Sequence, residues 1–358
     1  MIEVERCSEC SVPKQIVDAH DWLNSGVIIL KGNPSMRMAF IECENLDPLY
    51  KNIEELIGSP IERILIDVER KGTRDYFGPM MPQELKKQLK SRQLSLDPII
   101  EGMTFNNRMN GLGYFDLVSY SYEDGENDYL TLINHNAYSV PLAMGDMAGG
   151  CEAALDYEFM NVTRKEISPG VYEMTAAVSG VPEGLQGRLV RKPYVHREGD
   201  VTLDRCPGCG GPSALSGFNW KLDDGVIINT ATDRRVAVLH PSVLDSVFQE
   251  LENELGETIP QVVIEAQRRF TKTGFHYVEE IEDEAEFRTQ LALRGIGNLK
   301  YLNKDEKDLS MRIDNACMDL VVIGTAQGLY ETAYDTESEV RWQRSPEGDL
   351  QIEVSPGG

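Results

Sequence analysis

The sequence predicts an α+β fold of two homologous modules in tandem, each an antiparallel sheet packed with helices, arranged as an intramolecular pseudodimer. Three observations carry this expectation. Cys7, Cys10, Pro13 and Gly26 recur as Cys206, Cys209, Pro212 and Gly225, all 199 residues later. Each Cys-x-x-Cys is followed at the same distance by Gly-Val-Ile-Ile (26–29 and 225–228), and Trp22 and Trp220 agree to within one residue. The hairpins and helices downstream then come in the same order twice. The modules are placed at 1–180 and 205–358, joined by a linker at 181–204.

Both copies open with a short hairpin: apolar runs 26–30 and 36–41 flank Gly32-Asn33-Pro34, and 225–229 and 235–239 flank Ala231-Thr232-Asp233. A helix follows. In the first copy it opens at Asp47-Pro48, carries Leu49, Ile53, Leu56 and Ile57 on one face, and stops at Gly58-Ser59-Pro60. In the second, His240-Pro241 opens it and Gly256 ends it. A second helix is expected at 61–71 and 260–272. Gly111-Leu112-Gly113 then corresponds to Gly295-Ile296-Gly297 at a separation of only 184, so the first copy carries extra residues. These lie at 79–98 and include a helix-like run at 83–92.

Strands 114–122 and 128–134 pair across a polar turn, matched by 299–303 and 309–313. Next comes the best-matched helix. Asn136, Ala137, Gly145, Gly149, Glu152 and Asp156 recur as Asn315, Ala316, Gly324, Gly328, Glu331 and Asp335, all at 179. Two strands close each copy, 157–167 with 171–178 and 337–344 with 350–354. Between the copies, Pro182, Gly184, Gly187, Pro193 and Gly199 mark linker sequence.

Composition narrows the function classes. At 358 residues and 41% hydrophobic content, two globular cores are affordable. A net charge of −24 argues against nucleic acid and against an anionic membrane surface, and suits a solvated acidic exterior. No apolar run reaches the roughly 18–20 residues of a membrane-spanning helix, so no membrane insertion is expected. The first ten residues, MIEVERCSEC, lack the basic and apolar regions of a secretory signal, and a cytoplasmic location follows. Seven cysteines in such a compartment are expected to be reduced, and pairs at metal spacing read as ligands before disulfides.

The order glycine–apolar–glycine, β-hairpin, small-residue helix and two closing strands resembles the 4-vinyl-reductase-like, or hydrocarbon-binding, domain. The part from Gly-Val-Ile-Ile through the two helices looks like the segment preceding that domain in bacterial activators that sense xylene or phenol. The resemblance covers about 150 residues of each copy, leaving out the Cys-x-x-Cys elements and the linker. It implies a glycine-bearing helix over an antiparallel sheet, with a pocket for a small apolar or aromatic molecule between them. The residues so implicated are Val140, Met144, Met147 and Phe159 in the first copy, and Leu320 and Ile323 in the second. Relatives act as ligand sensors or as acyl-chain-binding subunits in vesicle tethering. The metal-binding cysteines of the phenol-type sensors have no counterpart here: Val140 and Tyr172 occupy that region of the first copy, and Cys317 stands alone in the second. Neither copy is followed by an ATPase or helix-turn-helix module, so a sensor would signal through a protein partner.

The cysteine pairs read independently of that resemblance. Cys206-Pro-Gly-Cys209-Gly-Gly is a zinc-knuckle spelling, and Cys7-Ser-Glu-Cys10 keeps the spacing with Ser11 in place of the first glycine. Two intervening residues suit two ligands of a tetrahedral ion, and a structural zinc site needs four. Packing about a pseudo-twofold axis would bring Cys7, Cys10, Cys206 and Cys209 to one zinc. Separate sites completed by other residues, redox dithiols, and metal-free cysteines remain open alternatives. Cys43, Cys151 and Cys317 are scattered and read as buried small hydrophobes.

Catalytic motifs are absent from the sequence. The five histidines have no metal-ligand spacing, and His135 alone falls beside the expected pocket. Glu152 and Glu331 recur and could furnish a polar group there, or a salt bridge between helices. Gly145 to Gly150 lies inside a helix and is no dinucleotide fingerprint; no phosphate loop or nucleophile elbow occurs. The expectation is a non-enzymatic protein that binds or senses a small hydrophobic ligand. The alternatives are an enzyme or accessory of tetrapyrrole (vinyl) reduction, and an interaction scaffold without ligand.

Overall fold

The computed structural model describes residues 4–123, 125–182, 194–276, 283–304 and 307–357. The linker positions Gly184, Gly187 and Pro193 and the hairpin-turn residue Asp124 lie outside them. The fold is α+β with antiparallel sheets. The first half contributes α1 (Lys14–Ala19), β1 (His20–Trp22), β2 (Ile28–Leu30), β3 (Asn33–Glu42), α2 (Cys43–Ile57) and α3 (Glu62–Phe77). It continues with α4 (Gln83–Lys90), α5 (Asp97–Asn110), β4 (Tyr114–Ser121), β5 (Tyr129–His135), α6 (Val140–Leu155), β6 (Met160–Ser168) and β7 (Val171–Val178). The second half contributes β8 (Phe218–Lys221), β9 (Val226–Asn229), β10 (Arg234–Leu239), α7 (Ser242–Leu255), α8 (Ile259–Phe270) and α9 (Glu284–Leu293). It closes with β11 (Asn298–Lys304), β12 (Leu309–Asp314), α10 (Asp319–Tyr334), β13 (Ser338–Arg344) and β14 (Leu350–Pro356).

The structure differs from the sequence reading at two points. β3 runs straight into α2, which starts at Cys43 and encloses Pro48, so the proline sits inside the helix at the loss of one backbone hydrogen bond. The sequence reading places no helix at α5 or α9, which correspond to one another, while the added helix expected at 83–92 is α4.

β1-β2-β3-β10-β9-β8 form one six-stranded sheet whose order reads alike from either edge. At its centre β3 pairs antiparallel with β10, Ala39 opposite Leu239 and Glu42 opposite Val236. The other sheets are β4-β5-β7-β6 and β11-β12-β14-β13, one from each half.

Contacts between the halves are reciprocal. Gly26 (φ 74°) lies so close to Gly297 that a Cβ would come 2.3 Å from its carbonyl oxygen; Gly225 (φ 64°) meets Gly113 the same way at 2.4 Å. Both need the left-handed backbone and the missing side chain. Trp22 Nε1 donates to the Leu293 carbonyl (2.9 Å) and Trp220 Nε1 to that of Met109 (3.2 Å). The buried Arg37 guanidinium donates to the carbonyls of Gly295, Ile296 and Ala316, and Arg235 to those of Asn136 and Ala137. The hairpin of each half is thus fastened to the later part of the other.

The glycine-bearing helices pack against helices. A Cβ on Gly149 would stand 2.2 Å from the Arg70 carbonyl of α3, and one on Gly324 would stand 2.5 Å from the Ile264 carbonyl of α8. The recurring glutamates lock these helix pairs. Arg70 Nη1 donates to both Glu152 oxygens (3.0 and 3.1 Å), and Glu331 receives Arg268 and Lys272. No helix among the described residues is long and apolar enough to cross a membrane.

Candidate metal centre and apolar cavity

Each cysteine pair sits on a tight turn. Ser11 N–H donates to the Cys7 carbonyl (2.9 Å) and Gly210 N–H to that of Cys206 (2.8 Å), with Ser11 and Gly210 both left-handed (φ 61° and 73°). Serine thus adopts in the first knuckle the backbone that glycine adopts in the second. The knuckles face one another: a Cβ on Gly208 would lie 2.8 Å from Cys7 Sγ. Arg6 Nη2 reaches the Trp220 carbonyl (2.7 Å) and Arg205 Nη2 that of Trp22 (2.8 Å), so each knuckle is tied across to the other half.

The four sulfurs lie within 4.8 Å of one another, with Cys7–Cys206 at 3.7 Å and Cys10–Cys209 at 3.6 Å. A disulfide needs about 2 Å. The sulfur–sulfur edge of a tetrahedron with metal–sulfur bonds of 2.3 Å is about 3.8 Å. The cluster could therefore hold a metal ion. Cys7 and Cys206 are buried and the other two half-buried. Backbone N–H groups of Cys10 and Glu9 lower the Cys7 thiol to about 7. Burial pushes Cys10 up to about 12 and raises Cys209. The remaining Cys43, Cys151 and Cys317 are buried apart from this cluster, each thiol raised to about 12 by burial.

An apolar cavity of about 120 Å³ lies between α10 and the β11–β12 side of its sheet. Leu309, Met311, Val322, Ala326 and Leu329 line it, while α9 adds Phe287 and Leu291. The first half completes the wall with Ile41, Glu42 and Asn45. Its polar corner is the Glu42–Arg294 ion pair beside His276. Burial works to raise the Glu42 carboxyl, but Arg294 and His276 hold it below its ordinary value.

The matching region of the first half is divided. An apolar space of about 50 Å³ is lined by Met103, Met147 and Cys151, and a mixed one of about 70 Å³ sets Glu69, Asn110 and His240 beside Leu112, Leu239 and Val243. Substitution between the copies accounts for this. Met147 stands where α10 has Ala326, Asn110 where the second half has Arg294, and His240 where the first has Glu42. The longer side chain at 147 fills space that alanine leaves open.

Of the expected pocket residues, Met147 lines the smaller apolar space and Leu320 an outer cleft. Met144 is buried and receives Arg164 Nη1 at its sulfur (3.2 Å). Phe159 lies under the Arg70 guanidinium, 4.3 Å from ring centroid to charge. Ile323 is closed into the core, and Val140 packs partly buried against it. The cavity-facing stripe of α10 is Val321, Val322, Thr325, Ala326 and Leu329, with Met318 just before the helix, and the helical period turns it away from 320 and 323. His135 is an ordinary partnered histidine, stacked on Tyr114 and 3.1 Å from Asp116. Sequence reasoning missed Glu42, Asn45 and Arg294, because no repeat marks residues that meet only across the two halves.

No protein-family model matches the sequence, and no curated protein does. Among solved structures, a Cs H-NOX mutant carrying the unnatural amino acid 4-cyano-L-phenylalanine overlaps 34% of this chain and 75% of its own, at 12% identity and a TM-score of 0.25. An H-NOX structure probing the function of heme distortion overlaps 32% and 71%, at 14% identity and a TM-score of 0.24. Overlap this slight defines neither fold nor ligand for this chain.

Proposed function

We infer that the chain is a non-enzymatic protein that binds or senses a small hydrophobic molecule, built as an intramolecular pseudodimer clasped by one structural zinc. The observation that carries this reading is the apolar cavity of about 120 Å³, present in the second half and subdivided in the first. An engineered cavity of about 150 Å³ lined only by Leu, Ile and Phe takes up benzene or xenon. This one is smaller and has the Glu42–Arg294 pair at one corner, which suits an apolar molecule no larger than about a single benzene ring. The resemblance to hydrocarbon-binding domains points the same way, and the second half is the binding half. Zinc suits the four-sulfur donor set, and Cys7, Cys10, Cys206 and Cys209 would hold it with no open position for catalysis. The reciprocal hairpin contacts and the symmetric strand order support the pseudodimer. Cytoplasmic location and a protein partner that receives the signal belong to the same reading.

Native mass spectrometry of the protein isolated from its own host tests it. A retained apolar molecule, lost from an Ala326→Met variant, is the expected result. A bound tetrapyrrole, or an empty chain that also fails to take up benzene, would overturn the ligand reading.

A further inference from the structure

A cleft of about 470 Å³ opens on the outer face of the second half, between the start of α10, α7, the start of α8 and the turn after β13. It is separate from the apolar cavity and owes nothing to it. Asp245 and Asp319 lie at its floor. The Tyr194 hydroxyl donates to Asp245. Asp319 is only 6% exposed, yet neither of its oxygens accepts a hydrogen bond. Arg344 Nη1 stands 2.7 Å from Oδ2 as an ion-pair contact lying off the hydrogen-bonding direction, and the Arg344 side chain is 40% exposed.

The fold does not require this acid. The same helical position in the first half is Val140, where the Ser139 hydroxyl donates to Asp47 (2.5 Å), the counterpart of Asp245. A carboxylate withdrawn from water without a full set of hydrogen bonds is costly, and the first half makes the same helix start without one. The surroundings have a definite chemistry. Asp245, Glu252, Asp319 and Glu347 face a single Arg344, while Trp342, Tyr194 and Phe248 supply aromatic walls. Arg37, next to Tyr194, is committed to three backbone carbonyls.

The geometry points to a second ligand site, for an organic ammonium: a primary amine with an aromatic or apolar body. Its ammonium donates to Asp319 while Arg344 turns toward solvent, and its ring lies against Trp342. Carboxylate and aromatic face together select a cation over a neutral molecule of the same shape.

Calorimetric titration of the full chain with 2-phenylethylamine and its neutral isostere 2-phenylethanol tests the assignment. Saturable amine binding, weaker by about tenfold or more for the alcohol and for Asp319→Asn, is expected from the loss of a charge-assisted hydrogen bond. Trp342→Leu should weaken the amine as well, and Ala326→Met should leave it unchanged, which separates this site from the apolar cavity. Equal binding of amine and alcohol, or no saturable amine binding, would overturn it. So would full affinity in a folded Asp319→Asn protein. Should that variant fail to fold, the amine-to-alcohol ratio on the unaltered chain and the Trp342→Leu result decide.

Discussion

Cys7 and Cys206 are 199 residues apart in the chain, and their sulfurs are 3.7 Å apart in space. The separation is too long for a disulfide and fits the edge of a metal–thiolate tetrahedron. Because each half supplies only two sulfurs, one ion would bridge both. The protein purified without nickel affinity should contain one zinc per chain. Cys7→Ser and Cys206→Ser should each abolish it and lower the unfolding free energy by several kcal/mol, since the metal binds the folded chain alone. Two zincs per chain, or none, would contradict the shared site. Elemental analysis with denaturant titration gives the answer.

The neighbouring glycines of α6 do different work. At Gly149 a Cβ would meet the backbone carbonyl of Arg70 at 2.2 Å, which can yield only if the two helices separate. At Gly150 the nearest atom is the Met103 sulfur at 3.1 Å, the end of a flexible side chain. Gly149→Ala should therefore destabilise by about 3 kcal/mol, the upper end of the usual overpacking cost. Gly150→Ala should be near neutral, helped by about 1 kcal/mol of helix propensity. Similar losses at both positions would mean that α3 and α6 are less closely packed.

How much of this was legible in the sequence depends on what kind of constraint each residue answers to. The cysteine pairs were readable because both copies keep one spacing, which suits two ligands of a tetrahedral ion. Glu152 and Glu331 were readable as recurring residues because each closes one helix pair. α5 and α9 share no conspicuous residue, so their equivalence was hidden behind the extra helix α4. The cavity was hidden for a different reason. Its wall combines one stripe of α10 with Glu42 and Asn45 from the other half, and a rotation of one residue along α10 exchanges lining for core. Asp319 was visible only as a place where the copies differ, since Val140 precedes the same helix glycines.

The Met147–Ala326 difference predicts an exchange of binding capacity. Met147→Ala should enlarge the apolar space of the first half, which is about 50 Å³, and cost about 2–4 kcal/mol as a large-to-small change in the core. It should gain a benzene or xenon site there. Ala326→Met should lose the site of the second half. Methyl chemical shifts of residues near each cavity, followed during xenon titration, check both. Uptake that ignores the two substitutions would show that side-chain volume at this position does not set the cavity.

Asp319 makes stability depend on pH in a stated direction. Burial pushes its carboxyl up to about 6 against the pull of Arg344; Asp245 raises it further and Arg37 opposes that. In the unfolded chain the group titrates near 4, so the folded protein holds the proton more tightly. The associated stability is fully present below about pH 4 and is lost as pH rises through about 6. Two pH units of difference correspond to roughly 2–3 kcal/mol. Asp319→Asn cannot lose a proton there, so it should gain that amount relative to the unaltered chain between pH 4 and 7.5. Other carboxylates titrate in both proteins and cancel in the comparison. Reversible denaturant unfolding of the pair at several pH values measures it. A stability difference that stays constant across the range would place the Asp319 carboxylate in a far better solvated or better paired setting than the 6% exposure of this residue implies.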